Sequence, residues 1–175
     1  SYPRLGGGGD YTTTADITTI DWDGNVGGVI CFYVEGDLTV SHNINADGAG
    51  FKGGVADVNG VSSSCNYTTF RTGNNQNFAA KGDGIYKNIT TDYELARARI
   101  ANGAGGGNSH NGGGGGGGNY TEGGEGGEGW QCTQSAGGMG GLSLQSYISS
   151  SRIFLGGGGG SGEGNNNCAS AGGRG

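Results

Sequence analysis

Two histidines are the only side chains in this sequence with an ordinary pKa near neutrality, and neither stands in a catalytic motif. His42 lies in "LTVSHNIN", a strand-like pattern that favours a packed or surface residue. His110 lies in "GNSHNG", where we expect it to satisfy free backbone groups between glycine tracts. No GxSxG, HExxH or Walker motif is present, and the glycine tracts lack the Lys-Ser/Thr pair of a phosphate loop. The sequence therefore predicts no catalytic residue, no cofactor and no enzymatic activity.

The segment "DWDGN", Asp21 to Asn25, is the nearest approach to a metal site. It places two carboxylates and an amide at alternate positions, as in the first part of a calcium loop. The closing bidentate glutamate is missing, because Phe32 stands at loop position 12. A plain Asp-Gly turn is the favoured interpretation, and no metal site is predicted.

Four cysteines are spread along the chain, and none forms a CxxC pair of the kind used for zinc or redox chemistry. An even number in a glycine-rich chain suits two disulfides outside the cytoplasm. Buried free thiols are the alternative, and the three possible pairings stay open. The candidate disulfide residues are Cys31, Cys65, Cys132 and Cys168.

Two further sets of side chains suggest an extracellular surface. Tyr120 and Trp130 are candidate surface-binding aromatics, because flat rings suit contacts with glycans. Asn-x-Ser/Thr sequons mark candidate glycosylation sites, which matter only if a eukaryotic secretory pathway made the protein. They are Asn66, Asn88 and Asn119.

The composition explains how such side chains must be positioned. Glycine supplies 46 of 175 residues, and hydrophobic residues only 31%, so a core of apolar side chains would be thin. Backbone hydrogen bonds must then carry an unusual share of the order, or the chain is a disordered linker. The net charge of −6 argues against nucleic-acid binding. No apolar stretch is long enough for a transmembrane helix, and no signal peptide is visible. The absence of an initial methionine suggests a piece of a longer product.

The composition changes near Asn102 and divides the chain into two halves. Residues 1–101 read as β-rich, with a buried strand at Val29 to Val34 and further strands in "LTVSHNIN" and "TTTADITTIDWDGN". "DYELARARIANG", from Asp92, is the single helix-like stretch. Residues 102–175 are glycine-rich, and "LSLQSYISSSRIFL" within them indicates one or two strands. We expect both halves to form one continuous folded unit.

The segment "EGGEGGEG", Glu122 to Gly129, repeats every three residues. An α-helix repeats every 3.6 residues and a strand every two, whereas a polyproline II helix repeats every three. Glycine chains in this conformation can lie side by side and bond through their backbones, because only glycine leaves room for the approach. The remaining tracts, predicted to pack in the same polyglycine II form, are Gly6–Gly9, Gly112–Gly118, Gly137–Gly141 and Gly156–Gly160.

Three stretches together resemble a known class of protein: "GGVICFYVEGDLTVSHNINADGAGFKGG", "GAGGGNSHNGGGGGGGNY" and "SSSRIFLGGGGGSGEGNNN". They are similar to glycine-rich modules of large secreted, adhesin-like bacterial surface proteins. More loosely, the tracts resemble the polyglycine II bundles of phage tail-tip adhesins and of a glycine-rich antifreeze protein. The resemblance implies an extracellular, β-rich module and carries over no catalytic residue. The four cysteines and the acidic "EGGEGGEG" depart from the pattern.

These observations predict a mostly β fold, with short strands in a sandwich or β-helix-like arrangement packed with polyglycine II helices, and little or no α-helix. We expect an extracellular structural protein that assembles with itself into a surface filament or fibre through backbone hydrogen bonds. The alternatives are an adhesin that binds glycans or cell surfaces and, more distantly, an ice-binding protein. Partners would be copies of itself or glycans, with no nucleic acid and no membrane insertion.

Overall fold

The computed structural model describes residues 3–57, 65, 67, 69–70, 78–86, 93–133, 136–149, 151–164 and 171–175. The chain forms two compact units, Ser1–Gly50 and Phe51–Gly175. The composition boundary at 101–102 therefore lies inside the second unit. The described residues contain short strands and extended runs but no α-helix, so the predicted fold class is confirmed.

The first unit winds twice through three short strands, as a β-helix does. Each strand of the first coil pairs in parallel with one of the second, β1 with β4, β2 with β5 and β3 with β6. Tyr11 lies opposite Leu38 and Ile17 opposite Ile44, an offset of 27 residues in both pairs. The strands are β1 Arg4–Leu5, β2 Tyr11–Thr12, β3 Ile17–Thr18, β4 Tyr33–Val34, β5 Leu38–Thr39 and β6 Ile44–Asn45.

Turns close the strands of the first unit, and one of them corrects a prediction. Gly6–Gly8 forms a 3-10 turn with positive φ at all three glycines, so this tract is not a polyglycine II run. The predicted Asp-Gly turn is present, since Asp23 Oδ1 accepts hydrogen bonds from Asn25 N and Val26 N at 2.8 and 2.7 Å. Gly24 has a φ of 101° there, which favours glycine.

The predicted buried strand at Val29 to Val34 is wrong in both length and burial. Only Tyr33–Val34 pairs, and Val29 and Tyr33 are about half exposed. The reason is that two coils enclose little interior, and repeat folds of this kind need more stacked units to bury a continuous core.

The second unit is built from extended runs that lie side by side. Run 102–108 is central, since it exchanges backbone hydrogen bonds with five other runs. From residue 103 onward no described glycine has a positive φ, which fits the polyproline II region. The runs in the described part of this unit are 51–57, 78–84, 93–100, 102–108, 112–118, 122–129, 136–144, 155–164 and 171–175.

The hydrogen bonds between these runs step by three residues on both partners. Ala104 N and Gly107 N donate to the carbonyls of Gly158 and Ser161, at 3.0 and 2.9 Å. A β-ladder would step by two, whereas a threefold helix returns to the same neighbour every third residue. Further pairs with this step include those that join Gly115 and Gly118 to Gly105 and Asn102, Gly138 and Gly141 to Gly113 and Gly116, and Gly157, Gly160 and Glu163 to Gly118, Gly115 and Gly112.

Run 122–129 shows why glutamate recurs at every third position. Gly123 N and Gly126 N donate to run 136–144, and the carbonyls of Gly124 and Gly127 accept from run 112–118. Two positions of each triplet thus serve the two neighbouring runs. The third carries an exposed carboxylate, at Glu122, Glu125 and Glu128.

The fully buried residues in the described part of the second unit carry small side chains. Ala79, Ala96, Ala104 and Ala136 are fully buried. Asn102 is also fully buried, and its amide group bonds to the backbones of three residues at 2.8–3.3 Å. These three residues are Ile85, Gly118 and Leu155. Such a buried polar side chain adds hydrogen bonds between runs that backbone bonds already join, and its own polar atoms are satisfied.

Two predictions for this unit are wrong. The helix-like stretch predicted from Asp92 contains no α-helix over its described residues, because Ala96 has a φ of 78° and the amides of Ala96 and Ala98 donate to Ala79 O and Thr69 O. Those long-range bonds replace the i to i−4 bonds of a helix. The strands predicted at 142–155 are instead a 3-10 turn at Gln145–Tyr147 and an isolated bridge between Ser149 and Arg152.

Candidate functional site

Side chains at the corners of the first coil hold the second coil in register. Asp10 Oδ1 accepts a hydrogen bond from the backbone N–H of Asp37 at 2.8 Å. Six residues further on, Asp16 Oδ1 accepts one from Asn43 N at 2.9 Å. These backbone amides lie between strands and have no partner in a β-ladder. The side-chain oxygens at the corners therefore accept their hydrogen bonds.

Thr13 lies midway between the two aspartates in sequence, and its buried side chain also accepts hydrogen bonds from the second coil. Its Oγ1 accepts from the N–H groups of Ser41 and His42, both at 2.8 Å. The His42 ring returns to the first coil, with Nδ1 2.8 Å from Thr13 O. His42 is therefore a structural residue at a corner, as its strand-like context favoured.

The second coil repeats these corner positions 27 residues later, but their side chains accept no hydrogen bond from a described residue. Asp37, Val40 and Asn43 correspond to Asp10, Thr13 and Asp16. Within the described residues, the carboxylate of Asp37 and the amide oxygen of Asn43 accept no hydrogen bond. Every residue from 35 to 47 is exposed. We call this stretch the open edge.

The first coil presents the matching donors. The N–H groups of Asp10 and Asp16 donate to no group among the described residues. They occupy the positions that Asp37 N and Asn43 N hold in the second coil, where both are bonded. One side of the two-coil unit therefore offers free corner acceptors and the other free corner donors.

The cysteines give one disulfide and one thiol. Cys65 and Cys132 are bonded, across 67 residues of sequence. Cys31 is free and partly buried, and Cys168 lies outside the described residues. This disulfide is compatible with a secreted protein. None of the helical segments among the described residues has the length and apolar character that a membrane span requires.

The "DWDGN" segment forms a turn and gathers no ligand set. The Asp23 carboxylate is engaged with the backbone of its own turn. In the described part of the chain, no group of three or more His, Cys, Asp or Glu side chains is placed to hold a metal ion.

The candidate aromatics are exposed but lie apart. Tyr120 is 56% and Trp130 60% exposed. Run 122–129 separates them, and eight residues span about 25 Å at 3.1 Å per residue. Trp130 packs beside His110 with ring centroids 5.3 Å apart. The two rings thus do not form one contact platform.

One of the three sequons lies in the described part of the chain. Asn119 is half buried, and its Nδ2 donates to Phe154 O at 3.3 Å. The nitrogen that would carry a glycan is therefore engaged with the backbone. Asn66 and Asn88 lie outside the described residues.

Lys81 is a buried charge that sequence reasoning missed. It is 7% exposed, and its ammonium finds no hydrogen-bond partner in the part of the chain described. It lies 5.4 Å from the centroid of the Phe70 ring, and burial lowers its pKa from 10.5 to about 8. It also borders a cavity of about 60 Å³ with Asp83 and Glu94. Its sequence context, "AAKGDG", carries no signal of this burial.

Neither a protein-family model nor a curated protein nor a solved structure matches this chain. The open edge and the surfaces of the second unit are therefore the features that indicate a function.

Proposed function

We propose that the chain is an extracellular structural protein that assembles with copies of itself into a surface filament or fibre. The observation that supports this best is the repetition of corner chemistry along the first unit. The open edge of one copy offers Asp37 and Asn43 as acceptors, and the first coil of the next copy offers Asp10 N and Asp16 N as donors. Stacking in this way repeats the contact that already joins the two coils.

The strands support the same direction of growth. In a parallel pair, alternate residues of a strand bond to opposite neighbours. Thr13 N and Tyr11 N donate to Thr39 O and Asp37 O, so the backbone groups of Leu38 and Val40 face away from the first coil. An exposed strand edge of this kind pairs readily with another chain unless charge or proline blocks it. The open edge has an exposed valine, Val40, at its centre.

The second unit suits a load-bearing part of such an assembly. Its order comes from backbone bonds between runs, and the Cys65–Cys132 disulfide ties distant parts of its sequence together. Extracellular placement fits this disulfide and the resemblance to secreted surface modules. Repetition of one contact without closure produces a filament rather than a ring.

Substitution on the open edge tests the proposal directly. Val40→Lys places a charge among the free strand groups, whereas Val55→Lys changes an equally exposed valine of the second unit. We expect wild type and Val55→Lys to form filaments at rising concentration, by light scattering and electron microscopy, and Val40→Lys to stay monomeric. Persistent monomers of the wild type at millimolar concentration would rule out self-assembly through this edge.

A further inference from the structure

A groove in the second unit is walled almost entirely by glycine. Run 155–164 bonds to run 112–118 on one side and to run 171–175 on the other, so it forms the floor between them. The groove has a volume of about 570 Å³, and its described lining carries side chains only from Asn119, Ala171 and Arg174. A surface made of backbone recognises a ligand through backbone groups.

One wall of the groove has unused donors at a spacing of three residues. In run 112–118, four amides donate to two neighbouring runs at 2.8–2.9 Å, namely those of Gly113, Gly115, Gly116 and Gly118. The amides of Gly114 and Gly117 donate to nothing in the described residues. Because a threefold helix turns 120° per residue, these two amides face the third direction, away from both occupied neighbours.

The floor has unused acceptors at the same spacing. Gly157 N and Gly160 N donate to run 112–118, but the carbonyl oxygens of these two glycines accept nothing from any described residue. The carbonyls one residue along, at Gly158 and Ser161, accept from run 102–108. The same 120° step turns the free carbonyls away from that run, toward the groove.

The far wall contributes another free donor. Gly173 O accepts from Gly159 N at 2.8 Å, while Gly173 N donates to no described group. The groove therefore presents donors on both walls and acceptors on its floor. A polyglycine II strand presents carbonyls and amides alternately around its axis, as every bonded run of this unit does.

We propose that the groove binds a glycine-rich segment of another polypeptide, which inserts as one more polyglycine II run. Its carbonyls accept from Gly114 N and Gly117 N, and its amides donate to Gly157 O and Gly160 O. Among the described residues, no run occupies the groove between runs 112–118 and 171–175. This binding uses none of the residues of the open edge, so it stands or fails separately from filament formation.

The walls also fix the sequence of the segment. Run 122–129, which bonds to runs on two sides, has one position in each triplet where a Cβ would overlap a neighbouring backbone, at Gly123 and Gly126. A segment in the groove meets runs on three sides and is open on the fourth. It therefore reads Gly-Gly-X, with X toward solvent, and proline is excluded where an N–H must reach the floor.

A peptide of three Gly-Gly-Gln triplets tests the site by calorimetry and by amide chemical shifts. We expect saturable binding to the wild type and shifts at Gly114, Gly117 and Gly173. A peptide of Gly-Ala-Gln triplets should not bind, because the extra methyl meets a wall. No saturable binding at millimolar peptide, or shifts confined to other residues, would overturn the proposal.

Two alanine variants locate the binding. A Cβ at Gly159 would enter the groove, with its nearest neighbours at 3.3 Å, so the fold survives while the floor is blocked. A Cβ at Gly124 would meet nothing within 4 Å on the outer face of run 122–129. Gly159→Ala should weaken peptide binding at least tenfold, and Gly124→Ala should leave it unchanged. Equal affinity for both variants would contradict the site, and if Gly159→Ala does not fold, the wild-type chemical shifts decide.

Discussion

The carboxylate of Asp10 and the backbone amide of Asp37 are joined by a hydrogen bond of 2.8 Å, across 27 residues of sequence. Asp16 and Asn43 repeat the relationship one corner further along. Few apolar side chains of this unit are buried. Corner hydrogen bonds therefore take a large part in holding its two coils together.

Removal of a corner carboxylate should loosen the second coil. Asp10→Ala leaves Asp37 N without a partner, and we expect a loss of about 1 kcal/mol, as for a helix cap. Hydrogen exchange of the segment 35–47 should accelerate about fivefold, because a loss of about 1 kcal/mol raises the population of the locally open state by that factor. Asp37→Ala is the matched control, because its carboxylate accepts no hydrogen bond in the described residues. Equal acceleration in both variants would contradict the role of the corner.

Hydrogen exchange should show a period of three within run 112–118. Gly114 N and Gly117 N are unbonded among the described residues, whereas the amides on either side of each are bonded to neighbouring runs. Residue-resolved exchange by NMR should find these two amides fast and their neighbours slow. Uniformly fast exchange along the run would show that the bundle does not persist in solution.

The effect of a glycine-to-alanine substitution on the free energy of unfolding should depend strongly on the position. A Cβ at Gly117 would overlap the carbonyl oxygen of Gly157, and we expect a loss of about 1–3 kcal/mol, as for overpacking. Gly124→Ala meets open space and should change the free energy of unfolding by less than about 0.5 kcal/mol or stabilise slightly. Urea denaturation measures both. Similar losses at the two positions would contradict the role of crowding by the Gly157 carbonyl, because Gly124 has no such neighbour.

The buried Lys81 should make stability depend on pH. Its folded pKa of about 8 lies below the ordinary value of 10.5, so the unfolded chain holds the proton more tightly. The cost of burying the charge is full below pH 8 and falls as the pH rises through 8 toward 10.5. Lys81→Met should therefore increase the free energy of unfolding at pH 7 by about 1–3 kcal/mol, which raises the melting temperature. This increase in stability should be smaller at pH 10. A gain that is constant with pH would assign the effect to packing instead.

Reduction of the Cys65–Cys132 disulfide should destabilise the second unit. The bond closes a loop of 67 residues, for which chain entropy alone gives about 4 kcal/mol. The melting temperature should fall on addition of a reductant in the wild type and in Cys31→Ala alike, because Cys31 is free. An unchanged melting temperature on full reduction would show that this bond does not constrain the unfolded chain.

The sequence predicted what repeats locally and missed what depends on distant partners. The triplets of residues 122–129 correctly predicted a backbone with a threefold repeat, and the Asp-Gly pair at Asp23 correctly predicted a turn. The non-helical conformation of Ala96 could not be predicted, because its amide bonds to Ala79, which no local pattern indicates. The offset of 27 residues between the coils is a weak repeat of Asp or Asn positions, visible at Asp10 and Asp37 once the pairing is known.

The groove could not be predicted, because it is defined by bonds that are missing. Gly114 and Gly117 are identical in sequence context to their bonded neighbours within "GGGGGGG". Only the arrangement of surrounding runs distinguishes them. In a region of uniform composition, the site is a property of the packing and not of the residues.

The glutamates of run 122–129 stand about 9 Å apart, three residues at 3.1 Å each, and Glu122 forms an ion pair with Arg99. The third position of each triplet therefore forms a row of exposed attachment sites with regular spacing. Metal ligands, dyes or epitopes attached at these positions would inherit this regular spacing from the backbone.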